Sequence, residues 1–209
     1  MPKNKVPLST LAEYIPENTY GAVEILLNKY SVQLTVTRSR ATVLGDYRPA
    51  YDNKGHRISV NGNLNRYSFL ITLLHELAHL LNFIKFGNRV SPHGPEWKFE
   101  FKELLIQFIA LQVFPDDIRC ALEKSLQNPA ASSCGDANLM RVLEKYNPSQ
   151  PNIKRIEELA EGEIFEIKGG RQFIRGAKRR SRYLCKSMEN AQSYLFHALY
   201  PVKIMKGKA

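Results

Sequence analysis

The chain has 209 residues, 30 Lys and Arg against 20 Asp and Glu, and a formal net charge of +10, a length that suits one domain with a small appendage. Cys120, Cys134 and Cys185 form no CxxC pair, which excludes a disulfide framework and a complete zinc ribbon and points to a reducing, cytoplasmic setting. Residues 1–10 are polar and contain Pro, so no secretory leader is expected there.

The first expected helix covers residues 11–31, with Val23, Leu26, Leu27 and Tyr30 on one side. Strands are expected over 32–38 and 40–44, joined by a tight turn, and over 57–61, after the turn Asp52-Asn53-Lys54-Gly55. They make a small sheet whose edge suits an extended peptide by strand addition. Next comes a helix over 67–85, free of Gly and Pro and apolar nearly all round, as a core helix is. Residues 69–86 approach the length of a membrane span, but His75, Glu76, His79 and Lys85 lie within them, so no membrane is expected.

That helix carries His75-Glu76-Leu77-Ala78-His79. Positions four apart share a helix face, so His75 and His79 aim two imidazoles at one point. Glu76 lies about 100° round, where its carboxylate reaches a water without taking a ligand position. This is the layout of a zinc hydrolase: two His ligands, a third from elsewhere, an open position and a general base. The blander reading is a core helix whose histidines only hydrogen-bond. Burying three polar groups together is costly unless something satisfies them, and a metal ion does. The metzincin spacing would put a third His at position 85 and a Gly at 82. Lys85 and Asn82 stand there, which excludes that class.

Gly87-Asn88 ends the helix, and Pro95 opens another over 96–113, with Phe99, Leu104, Leu105, Phe108 and Ile109 as its apolar face. His93 sits at its entry and is the candidate third ligand; Glu96, Glu100 and Glu103 are the carboxylate alternatives, since zinc accepts either type. Pro115-Asp116-Asp117 starts a third helix to about 126; residues 128–136 read as a linker, 138–146 as a helix and 153–160 as a short helix or turn.

His75-Glu76-Leu77-Ala78-His79, a gap, and then His93-Gly94-Pro95-Glu96-Trp97-Lys98 resemble the SprT-like metalloprotease family, which includes Spartan-type proteases acting on DNA–protein crosslinks. The resemblance covers about residues 70–101, and more weakly the strands before them. It implies an α+β fold: a mainly helical, zincin-like domain over 1–147 with a small N-terminal sheet, and a small β module over 148–209. It also implies one Zn2+ held by His75, His79 and His93, Glu76 as catalytic base, Trp97 as packing, and a protein or peptide substrate. The rival is a nucleic-acid-binding or regulatory protein whose zinc site is structural or does not turn over.

Residues 1–167 hold 19 cations and 19 acids; residues 168–209 hold 11 cations and Glu189 alone, so the whole excess is C-terminal. Strands are expected over 163–168, 171–175, 181–186 and 199–204, with Gly169-Gly170 as one hairpin turn and Gly176 in a second. The layout resembles the zinc ribbon of many SprT-like proteins without its cysteines, so no second zinc is expected. An apolar core of Ile164, Phe165, Ile167, Phe173, Ile174, Tyr183, Leu184, Tyr194, Leu195, Phe196 and Leu199 would replace it. Arg171, Arg175, Lys178, Arg179, Arg180, Arg182 and Lys186, with Phe173 and Tyr183 among them, are the candidate nucleic-acid contacts: cations for phosphates and rings for bases.

Overall fold

The computed structural model describes residues 8–40, 43–127 and 136–205. Cys134, nearly all of the expected linker and two residues of the strand expected over 40–44 lie outside them. The fold is α+β. The chain forms two compact units, Met1–Asn147 and Pro148–Ala209.

In the first unit a 3-10 helix, Leu8–Glu13, precedes α1, Tyr20–Lys29, where one helix over 11–31 was expected. Pro16 cannot continue a helical ladder, and Asn18 adopts φ +63°. Thr19 Oγ1 donates to the Pro16 carbonyl at 2.5 Å, closing the bend. Val23 and Leu27 are buried, with Leu26 and Tyr30 against the same core.

The sheet holds β1, Gln33–Thr37, β2, Gly45–Arg48, and β3, Arg57–Asn61. The expected tight turn between the first two strands is wrong: the order is β1-β3-β2, with β3 parallel to β1 and antiparallel to β2. β3 takes the centre because Ile58 and Val60 are its most apolar face and both are fully buried. The crossing chain is pinned by Arg40, whose guanidinium donates to Asn61 Oδ1 at 2.8 Å and Ser59 Oγ at 3.0 Å. The turn after Tyr51 is as expected: Asp52 and Asn53 both take positive φ, and Tyr51 and Lys54 exchange two backbone bonds of 3.0 Å.

α2, Arg66–Phe86, runs through the core and buries Phe69 to Ala78 without a break. Asn65 caps it, accepting from the Ser68 N–H at 2.9 Å. By length and composition α2 passes as a membrane span, but 67% of its most apolar stretch lies inside the fold. α3, Pro95–Ala110, packs against it through Trp97, Phe101, Leu104, Leu105 and Phe108. Phe99, expected on that face, is 57% exposed: a register of 97, 101, 104, 105 and 108 leaves 99 on the far side. α4, Asp116–Ser125, and α5, Ala137–Glu144, complete the unit.

One ion pair joins α2 to α3. Lys85 Nζ lies 2.6 Å from Oε1 of Glu100, whose side chain is buried. Removing the ammonium leaves that carboxylate without its counter-charge. Lys85→Met is therefore expected to cost about 1–3 kcal/mol in urea denaturation, and the double variant with Glu100→Gln to recover part of it. Unchanged stability of Lys85→Met contradicts this.

The second unit is a six-stranded sheet: β4, Ile153–Arg155; β5, Ile164–Glu166; β6, Gln172–Arg179; β7, Arg182–Ser187; β8, Ser193–His197; β9, Pro201–Ile204. Its order is β4-β9-β5-β6-β7-β8. Residues 153–160, expected as helix or turn, give β4 and a single 3-10 turn, because β4 pairs with the distant β9. Gly169-Gly170 makes the β5–β6 turn at positive φ. Gly176 does not turn the chain. It lies inside β6 at a bulge, where a Cβ would run into the Leu184 carbonyl, and the reversal falls at Arg180. Phe165, Phe173, Tyr183, Cys185 and Val202 form the core. β8 alternates Tyr194 and Phe196 inward with Leu195 outward, so Leu195 is 52% exposed rather than core, and Ile164 is exposed as well.

Candidate metal centre

The α-helical period of α2 sets His75 and His79 one turn apart, with Nε2 atoms 3.2 Å from each other. His93 reaches the same point from the turn ahead of α3, its Nε2 3.4 Å from that of His75. That turn is tied by the Gly94 N–H to the Ser91 carbonyl at 3.0 Å, and Pro95 starts α3 directly behind it. Among the described residues the three ring nitrogens are a group able to hold a metal ion, all within 4.8 Å of one another.

Trp97 is the wall of the site. Its ring centroid lies 4.6 Å from that of His75, 5.3 Å from His79 and 4.8 Å from His93, and Phe101 stacks on its other side at 5.1 Å. Burial pushes the His75 imidazole down to about 3, with His79 and His93 adding, and His79 to about 4; His93 is lowered for the same reason. All three rings are thus neutral at pH 7, with lone pairs to offer. The Nδ1 of His75 is buried with no hydrogen-bond partner among the described residues.

This donor set fits zinc. Two nitrogens about 2.0–2.1 Å from a tetrahedral zinc stand about 3.4 Å apart, and the observed separations are 3.2 and 3.4 Å. Neutral imidazoles sharing so little space cannot all satisfy one another by hydrogen bonds, because each has one proton. A cation at their centre satisfies three lone pairs at once.

Of the carboxylate alternatives, Glu100 is held by Lys85, Glu103 is exposed, and neither these nor Glu96 joins the cluster. Glu76 is 6% exposed. Burial pushes its carboxyl up to about 8, and the Asp46 charge adds, while Arg40 and a hydrogen bond from the Tyr47 backbone oppose. Arg40, Gly45 and Asp46 carry no motif that would mark them in the sequence, yet they surround the Glu76 carboxylate. The Tyr47 hydroxyl is engaged beside this site. His56 Nδ1 accepts from the Ala50 N–H at 3.3 Å, so the Tyr47 hydroxyl donates to it at 2.9 Å. Arg48 pairs with Asp46, and Tyr51 is exposed at its turn.

These shifts set a pH profile for the metal-free protein. Below pH 6.5 the unfolded chain protonates His75 and His79 and the fold does not, so they withdraw stability as pH falls from about 6.5 to about 4 for His79 and about 3 for His75, and His93 acts in the same direction. Glu76 has the opposite sign: its raised carboxyl keeps a proton that the unfolded chain loses above 4.5, so stability falls as pH rises toward about 8. Three histidines outweigh one carboxyl below 6.5, and Glu76 acts alone above it. Urea midpoints are expected to peak near pH 6.5 and Glu76→Gln to flatten the alkaline limb; midpoints that climb steadily to pH 8 contradict this.

The seven candidate nucleic-acid residues do not act alike. The Arg171 guanidinium lies 5.2 Å from the Phe173 and Tyr194 rings and pairs with Glu189 at 3.3 Å. Arg175 is mostly buried, 4.4 Å over Tyr183 and 3.7 Å from Glu161. Phe173 and Tyr183 belong to the core, so neither ring is open to a base. Lys178, Arg179, Arg180 and Arg182 stand exposed at the β6–β7 hairpin, and Lys186 is exposed farther along β7.

Residues 20–113 match the model of the SprT-like family. Protein SprT of Glaesserella parasuis serovar 5 (strain SH0165) is 61% identical over 31 residues, 15% of this chain and 19% of that protein. The chain thus aligns with about a fifth of this curated relative's length. No solved structure matches the chain. The match takes in α2, the His75–His79–His93 cluster and α3, and on it the chain carries a SprT-like family domain over residues 20–113.

Proposed function

We propose that the chain is a zinc-dependent endopeptidase of zincin-like design, acting on proteins associated with or crosslinked to DNA. One observation carries the reading: three imidazole nitrogens converge within 4.8 Å of one another, those of His79 and His93 at zinc spacing from that of His75, and Glu76 follows His75 in sequence. His75, His79 and His93 would hold the metal. Zinc there supplies a Lewis acid that acidifies water, polarises a carbonyl and favours the ionised form of the buried Glu76 carboxyl. Glu76 takes a proton from the water that attacks the scissile carbonyl and delivers it to the leaving nitrogen. Trp97 and Phe101 keep water from the backs of the imidazoles and fix their planes.

The nucleic-acid part rests on the second unit. Among the described residues Lys178, Arg179, Arg180 and Arg182 form no ion pair, and one hairpin presents all four. Such a cluster follows phosphates without reading bases. The test is cleavage of a DNA-binding protein by the zinc-loaded chain, with and without DNA. DNA is expected to accelerate cleavage, with the gain lost in Arg179→Glu/Arg180→Glu and at high salt. Cleavage indifferent to DNA removes the nucleic-acid part and keeps the peptidase.

A further inference from the structure

The Glu76 side chain leaves α2 toward the edge strand β2, and two features of that strand meet it. In the β2–β3 ladder Asp46 lies opposite Ser59 and Arg48 opposite Arg57, and the Asn61 N–H donates to the Leu44 carbonyl at 2.9 Å. Antiparallel pairing alternates, so the backbone groups of Gly45 and Tyr47 turn away from β3. The Tyr47 N–H is thereby turned from β3 toward the Glu76 carboxylate, and it opposes the upward shift of that carboxyl.

Gly45 is the second feature. A Cβ there would lie 2.5 Å from Glu76 Oε1, 2.8 Å from Glu76 Cγ and 2.8 Å from Thr72 Cγ2. Real Cβ atoms do not approach heavy atoms so closely. The Gly45 φ is not positive, so an alanine is acceptable to the backbone, and only space forbids it. Glu76 has little room to retreat, since it is buried in a helix whose neighbours are also buried.

Resting on the peptidase reading, we propose that Gly45 is a positioning residue for Glu76: its missing side chain is the slot in which the carboxylate lies. Position 45 therefore restricts where the base can stand, and any side chain there displaces it. A displacement of about 1 Å at a reacting group costs on the order of a hundredfold in rate.

The test is Gly45→Ala, read in turnover and, alone and with Glu76→Ala, in melting temperature. Gly45→Ala is expected to keep one zinc per chain, hold KM within about twofold and lower kcat by about tenfold or more. An unchanged kcat in Gly45→Ala overturns the proposal. Melting temperature supplies a readout independent of turnover. Gly45→Ala is expected to lower Tm in the Glu76 protein and by less in Glu76→Ala; equal losses assign the clash to Thr72 and overturn the proposal. If the unsubstituted protein hydrolyses no peptide, the peptidase reading fails while the thermal comparison still decides the Gly45–Glu76 contact.

Discussion

Glu76→Gln is expected to leave the metal in place and lower kcat by about two to four orders of magnitude, the range for removing a general base. The amide keeps the size and shape of the buried side chain, so the fold has no reason to change. It cannot take a proton from water. The stability of the variant should not fall, because a buried carboxyl held up near 8 is no asset to the folded state at neutral pH. A structural metal site has no use for this carboxylate, so a Glu76→Gln variant that leaves every cellular phenotype intact would favour the binding-protein reading. The measurements are zinc per chain, Tm and the rate of peptide cleavage on one preparation.

The second large effect is expected at His75. Its ring touches His79, His93, Trp97 and Phe101, and it is buried, so His75→Ala removes a ligand and opens a gap at the centre of the cluster. Loss of an outer-shell partner alone weakens zinc about 10- to 100-fold, and loss of a ligand should exceed that. Free zinc at about a thousand times Kd stabilises a folded protein by about 4 kcal/mol. The unsubstituted chain should therefore gain Tm on zinc addition and lose it to a chelator, while His75→Ala shows neither response. A zinc-dependent Tm gain in His75→Ala as large as in the parent would place the metal elsewhere.

What the sequence discloses and what it hides follows from range. α2 is legible because its signals are local: an unbroken apolar run, an Asn cap, Gly at the end, and a His pair at helical spacing. The β3 limits and the Asp52-Asn53 turn are local in the same sense. The strand order is not local. Nothing in residues 32–48 says that β3 will come between β1 and β2, since the choice is made by Ile58 and Val60 burying themselves and by Arg40 bonding across. The same limit hides β4, whose partner β9 lies some fifty residues away, and Gly176, which reads as a turn until Leu184 is seen against it. In the site, the His75-Glu76-His79 motif discloses two of the three members of the cluster. His93 needs either the resemblance or the structure, because Glu96, Glu100 and Glu103 satisfy the chemistry equally well on paper. The surroundings of Glu76 come from the folded sheet alone. The aromatic residues of the second unit mislead for a related reason: a ring between cations suits a nucleic-acid surface and a core equally, and burial decides for the core.

The central claim is that one zinc ion held by this cluster makes the chain a peptidase, and a zinc titration of the metal-free protein tests it most directly. Zinc bound per chain and cleavage of an unfolded protein substrate are followed together. The account predicts that cleavage rises with bound zinc, saturates at about one ion per chain, and is absent from Glu76→Gln loaded to the same level. A chain that binds one zinc through these histidines and cleaves no peptide bond, in folded, unfolded or DNA-bound substrates, would contradict it.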